Sequence, residues 1–219
     1  MGPFFMKYFL LLPFIFLAAC GARHVKPGNA VQARKDGNLP ENRHMIDTAK
    51  GFIRSGDLVF RAGNDLVSEY FKKLNLEDQT YSHCGIASVE NGQVYVYHIL
   101  GGEFNPGEHI LHQTFEQFIS PYENDAFGVF RYPLTDAERA KMMETAKLIH
   151  DAGVRFDMQF DLATDEKMYC AEFVYKTMLI GTNGRLKPEF THVPMRTGIT
   201  TDNLFMNRNC RELARFVYK

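Results

Sequence analysis

The dipeptide Asn91-Gly92 sits between two runs that read as strands, Cys84 to Val89 and Gln93 to Leu100. Asn-Gly supplies the two left-handed residues of a type I′ turn, the strongest short signal for a two-residue hairpin. That turn sets the register of everything beside it. Glu90 faces Gln93, and counting outward places His83 opposite Leu100 with His98 a diagonal neighbour on the same sheet face. Two histidines fifteen residues apart can therefore share one space, one orienting the other.

The remaining pattern points to an α+β domain. Gly56 to Arg61 reads as a short strand after a turn, and Asn64 is placed to cap a helix whose Val67, Tyr70, Phe71 and Leu74 fall on one face. Thr114 with Gln117, and Thr135 with Glu138, have the spacing of capping boxes; the second opens a helix that runs to His150 and stops at Gly153. Phe127 to Tyr132 and Arg211 to Tyr218 complete the strands. Antiparallel neighbours with helices segregated around them define the class.

A second chemical feature lies far downstream. Cys170, in Met168-Tyr169-Cys170-Ala171-Glu172-Phe173-Val174-Tyr175, opens a helix that runs to Ile180 and ends at Gly181. A cysteine there meets unpaired backbone N–H groups and the positive end of the helix dipole, both of which favour the thiolate. Phe173, Val174, Thr177 and Met178 lie on its side of the helix, so the thiol faces the protein body. A histidine brought beside it could act as its base. Taken one at a time, Cys170 reads as a small core residue and His83 as a satisfied strand histidine.

The N-terminus carries an address. Lys7, a short apolar stretch from Tyr8 to Phe16, and Leu17-Ala18-Ala19-Cys20 follow the pattern of a cleaved leader, too short to span a bilayer comfortably. The last four residues resemble the bacterial lipobox, which makes Cys20 the lipidation site and places the protein on a membrane; Gly21 points to the periplasmic side of the outer membrane. An uncleaved anchor or a plain secretory signal are the other readings. Residues 1–19 are then the lipoprotein signal peptide, 20–50 the lipidated cysteine and a flexible tether, and 51–219 the folded domain. The tether would span roughly 30 Å as a coil. Roughly 170 residues suit one domain, expected as a monomer. A net charge of -1 leaves no basic footprint for nucleic acid.

Gly56-Asp57-Leu58-Val59-Phe60, then Tyr81-Ser82-His83-Cys84-Gly85-Ile86, then Tyr169-Cys170-Ala171-Glu172-Phe173-Val174 resemble, in that order, the YaeF/YiiX family of permuted papain-like amidases. These are relatives of the NlpC-type cell-wall peptidases and of lecithin retinol acyltransferase. The resemblance covers Gly56 to Ile180. It implies an α+β fold in which an antiparallel sheet or half-barrel packs on helices, with the cysteine at a helix N-terminus. It also implies Cys170 as nucleophile, His83 as base and a polar residue on the next strand as third member. YaeF/YiiX relatives often have an acid there, whereas this chain offers His98, as the acyltransferase branch does. Ala171 stands where the family often has serine. The implied activity is a membrane-anchored cysteine hydrolase cleaving amide bonds, in cell-wall peptide or a lipid-linked acyl amide, through an acyl-enzyme on Cys170. A phospholipid-directed acyltransferase or thioesterase with the same residues, and a non-catalytic lipoprotein binding module, are the alternatives.

Other residues rank lower. Asp157 and Asp161 are spaced to contact a cationic group of a substrate, and Tyr169 to line the pocket; each also reads as a structural residue. Glu108-His109-Ile110-Leu111-His112 lacks zinc-ligand spacing and reads as a surface loop. No cysteine pair or glycine-rich loop suggests a metal or nucleotide, so no cofactor is expected. Cys84 and Cys210 could pair in an oxidising compartment or remain buried thiols.

Overall fold

Asn91 (φ 52°) and Gly92 (φ 80°) both take left-handed backbone, and pairing runs from Glu90↔Gln93 to Ile86↔Tyr97 in the expected register. The protein is described here by a computed structural model that covers residues 39–102, 105–188, 191–193 and 196–219. The chain runs α1 (Pro40–Lys50), β1 (Leu58–Gly63), α2 (Leu66–Lys72), β2 (His83–Glu90), β3 (Gln93–Ile99), β4 (Ile110–Thr114), α3 (Phe115–Phe118) and β5 (Asn124–Arg131). It continues through α4 (Asp136–Asp151), β6 (Arg155–Phe156), β7 (Lys167–Met168), α5 (Cys170–Gly181), β8 (Thr191–Val193), β9 (Arg196–Gly198), α6 (Thr201–Phe205) and β10 (Arg211–Val217). Six strands form one antiparallel sheet in the order β10-β5-β1-β2-β3-β4. This is the α+β arrangement expected.

Strand alternation gives the sheet two buried faces. Leu58, Phe60, Cys84, Ile86, Tyr97 and Ile99 pack in one core with Met142 and Ala146 of α4 and Phe173, Val174 and Met178 of α5. Val59, Ala87, Val94 and Val96 form the other core with Ile46 and Ala49 of α1 and Phe115 and Phe118 of α3. Both capping boxes form, at Thr114 with Gln117 and at Thr135 with Glu138.

Four expectations need correction. The tether does not extend to residue 50: Pro40 stands at the start of α1, whose Asn42, Ile46 and Ala49 are buried. Asn42 also accepts a hydrogen bond from the Lys219 backbone N–H at 3.1 Å, so the packed body begins by residue 40. The cap of α2 is Asp65 rather than Asn64; its Oδ1 accepts from the Val67 and Ser68 N–H groups, each at 2.9 Å. The α2 face is not a core face either. Val67, Tyr70 and Leu74 are exposed because a two-turn helix at the rim meets the body mainly through Phe71, whose ring lies 5.6 Å from that of Phe160. Finally, Ile110 to His112 belong to a strand, not a loop, since Ile110 is buried and Leu111 pairs with His98. The signal peptide and Cys20 lie outside the described residues.

Candidate active site

The two histidines meet, although β2–β3 pairing ends at Ile86↔Tyr97 and does not reach the expected His83–Leu100 pair. His83 Nε2 and His98 Nδ1 are 3.0 Å apart, and both rings pack edgewise or tilted on Phe118 of α3. Gly85 allows the approach: a Cβ there would lie 2.7 Å from the Tyr97 carbonyl oxygen and 3.0 Å from His98 Cβ. His98 Nε2 in turn lies 2.9 Å from Gln113 Oε1 on β4. An amide oxygen can only accept, so His98 Nε2 donates and its Nδ1 is bare. His83 Nε2–H then donates to His98, which leaves His83 Nδ1 as the unprotonated nitrogen. The tautomer of the pair is thus set by one glutamine carbonyl.

Cys170 opens α5 and arrives on the opposite face of the sheet, meeting β2 at Cys84, the neighbour of His83. The β2–β3 ladder stops at Ile86↔Tyr97, which leaves Cys84 beyond it, and the Cys84 thiol, the Cys84 N–H and the Ala171 N–H of the first helical turn favour the Cys170 thiolate. These donors, with the charge of Arg61, hold the Cys170 thiol below its ordinary range although burial opposes them. Cys84 moves the other way: burial and its bond to Cys170 push its thiol well up. Among the described residues no hydrogen bond joins the sulfur to His83; the Arg61 charge acts on both.

Burial, then Arg61, then His98 drive the His83 imidazole well below its usual value. Burial and Arg61 take His98 down to about 3. Both rings are neutral near pH 7. A cleft of about 470 Å³ is lined by Arg61, Leu100, Gln113, Glu116, Gln117 and Glu123 together with Ser120; it takes in the partner of His98, but neither Cys170 nor the two histidines line it.

The other expected site residues are placed elsewhere. Tyr169 is buried, its hydroxyl accepting from the Ile199 N–H at 3.0 Å and its ring 5.2 Å from that of Phe160; it is not among the residues lining the cleft. The Asp157 carboxylate is buried and accepts from the backbone N–H groups of Gln159 and Asp161, at 2.8 and 2.5 Å. Asp161 is exposed and accepts from Ala163 N–H at 3.0 Å. Both acids hold backbone N–H groups of the loop before β7 and are not among the residues lining the cleft. Glu172 pairs with Lys176 at 2.9 Å inside α5. Cys84 and Cys210 are free thiols with different neighbours, Cys170 and Tyr132.

Sequence reading passed over Arg61 and Gln113. A lone arginine in the apolar run Leu58-Val59-Phe60-Arg61-Ala62 was the available signal for the first. The second had none, because Gln113 meets His98 only through the pairing of β3 with β4.

A thiol titration checks the hydrogen-bond pattern. Iodoacetamide at neutral pH is expected to label Cys170 in preference to Cys84 and to Cys210, whose thiol is pushed up to about 12, chiefly by burial. Cys84→Ala should move the labelling inflection of Cys170 to higher pH by about one unit, and Cys84→Ser, which retains a donor, should restore most of it.

Similarity to known proteins follows the same outline. The structure resembles the crystal structure of metalloprotein YiiX from Escherichia coli O157:H7, with a TM-score of 0.62 at 19% identity, covering 75% of this chain and 98% of that one. The metal is a property of that protein's description. Here, among the described residues, no three His, Cys, Asp or Glu side chains are grouped to hold an ion, and three of the four ring nitrogens of His83 and His98 are committed to each other and to Gln113. The residues present do not fit a metal centre. No curated protein matches the chain. Residues 52–186 match the model described as permuted papain-like amidase enzyme, YaeF/YiiX, C92 family, and the chain belongs to that family of amide-bond hydrolases.

Proposed function

We propose that the protein is a cysteine amidase in which Cys170 is the nucleophile, His83 the base and His98 the residue that orients it. The observation that carries this reading is the set of donors favouring the Cys170 thiolate next to Cys84, whose chain neighbour His83 belongs to a histidine pair of fixed tautomer. The Cys170 proton passes to His83 Nδ1 as sulfur attacks the carbonyl carbon. First-turn N–H groups of α5, which lack helical partners, stabilise the oxyanion. The C–N bond then breaks as His83 returns the proton to the leaving amine. Water, deprotonated by His83, finally breaks the C–S bond and releases the acid. Catalytic hydrogen bonds are often long before substrate binds, consistent with the missing His83–sulfur bond.

The protein would be held by lipid on Cys20 at the periplasmic side of the outer membrane, its substrate a cell-wall peptide or a lipid-linked acyl amide. A second reading is favoured by His98, which stands where the acyltransferase branch has histidine: transfer of the acyl group to, or from, a lipid. Intact-mass measurement after incubation with peptidoglycan fragments or with phospholipid vesicles tests both. An acyl adduct on Cys170 with peptide supports the amidase, an adduct only with lipid supports transfer, and no adduct with either removes the nucleophile.

Gln113→Leu should lower turnover about 10–100-fold while leaving Cys170 alkylation in place, because the ring pair loses its anchor and not the sulfur its donors. Turnover and alkylation rates measured on one sample check this.

A further inference from the structure

Arg61 lies on β1 directly across from His83 in the antiparallel register. By strand alternation it shares a sheet face with His83 and His98, and all three side chains meet the Phe118 ring. Its guanidinium carbon stands 5.1 Å over that ring. The side chain is only 14% exposed, yet of its five N–H donors one hydrogen bond forms, from Nη1 to the Phe118 carbonyl at 3.3 Å. Nε is buried with no partner among the described residues. Its nearest carboxylate is Glu123, 3.9 Å away and 69% exposed, and Asp65 adds a weaker attraction. A buried cation so poorly paired is costly to the fold and needs an anion close by.

We propose that Arg61 is a positioning residue of the cysteine site, a fixed buried charge held across from His83 and over the ring that carries both histidines, whose field reaches the Cys170 sulfur. This rests on the reading of Cys170 as nucleophile. The donors Cys84 and Ala171 contact the sulfur from β2 and α5; the two histidines are neutral; the charges facing the site are Arg61 and, behind it, Glu123 and Asp65. The sulfur charge that develops as His83 takes the proton is then met first by the Cys84 and Ala171 donors and, among the fixed charges, by Arg61. A fixed positive charge disfavours every protonated form nearby, so it lowers both proton-loss steps of the Cys–His pair together. The pH window of reaction is thereby moved down without being widened.

The test is the pH dependence of Cys170 alkylation by iodoacetamide in the full chain, which needs no substrate. Arg61→Met is expected to shift the inflection upward, by less than Cys84→Ala does, and Arg61→Lys to stay close to the parent. His83→Ala should retain a low inflection, since the histidine is not the counterion. Circular dichroism confirms that each variant is folded. A folded Arg61→Met with an unmoved inflection overturns the proposal, as does a His83→Ala inflection rising to that of a free thiol. If Arg61→Met does not fold, Glu123→Gln decides: removing the acid that offsets Arg61 should move the inflection down, and an unmoved inflection overturns the proposal. Absence of any selective Cys170 labelling in the parent protein defeats the nucleophile reading itself, a different outcome from either.

Discussion

Cys170→Ala should abolish turnover and adduct formation alike, with a loss on the order of 10⁴-fold or more. The sulfur is the atom on which the Cys84 thiol, the Cys84 and Ala171 N–H groups and the Arg61 charge converge, and alanine removes it. Little else changes. The side chain is partly exposed at a helix start, so the fold should lose less than about 1 kcal/mol. Cys170→Ser separates shape from chemistry: a hydroxyl fits the space but resists ionisation far more than a thiol does. His83→Ala should cost nearly as much turnover as Cys170→Ala, and combining the two should add little, because residues acting as one unit are strongly non-additive. Steady-state rates on an amide substrate, with intact mass after an electrophile, check the series. Full activity in Cys170→Ala would place the reaction elsewhere in the molecule.

Asp57→Ala should destabilise the fold by about 3–5 kcal/mol, a drop of roughly 10 °C or more in the melting midpoint. Gly56, at φ 84°, turns the chain so that the fully buried Asp57 reaches Arg131 on β5. Nε–Oδ1 and Nη2–Oδ2 are both 2.6 Å, and Arg54 N–H donates to Oδ2 at 2.8 Å. The pair thereby fastens the loop before β1 to the neighbouring strand. Alanine at 57 leaves the Arg131 guanidinium without its carboxylate, and an uncompensated buried charge costs more than the intact pair contributes. The double variant Asp57→Ala/Arg131→Met should recover part of the loss, since it strands no charge. Denaturant midpoints for the four proteins of the cycle measure it; equal midpoints for the parent and Asp57→Ala would make the pair dispensable. This places the Gly-Asp of the first motif in the architecture of the sheet, whereas the second and third motifs hold the His83 and Cys170 of the proposed site.

Local physics wrote much of this protein into its sequence. The Asn91-Gly92 turn dictated the β2–β3 register and with it the His83–His98 pair, because side chains on a paired strand have a period of two and no freedom to choose a face. Thr114 with Gln117 and Thr135 with Glu138 marked helix starts, since each capping box satisfies its own orphan donors within four residues. Cys170 at the mouth of α5 was legible from the helical spacing of Phe173, Val174, Thr177 and Met178 after it. Pairing of segments distant along the chain left no such mark. That β1 lies antiparallel to β2, setting Arg61 against His83, is decided by burying two sheet faces at once. Gln113 joins His98 only because β4 pairs with β3, and Cys84 meets Cys170 only because α5 docks where the β2–β3 ladder parts. A turn or a cap draws its stability from adjacent residues, whereas a buried charge beside a thiol depends on how the whole sheet and its helices exclude water.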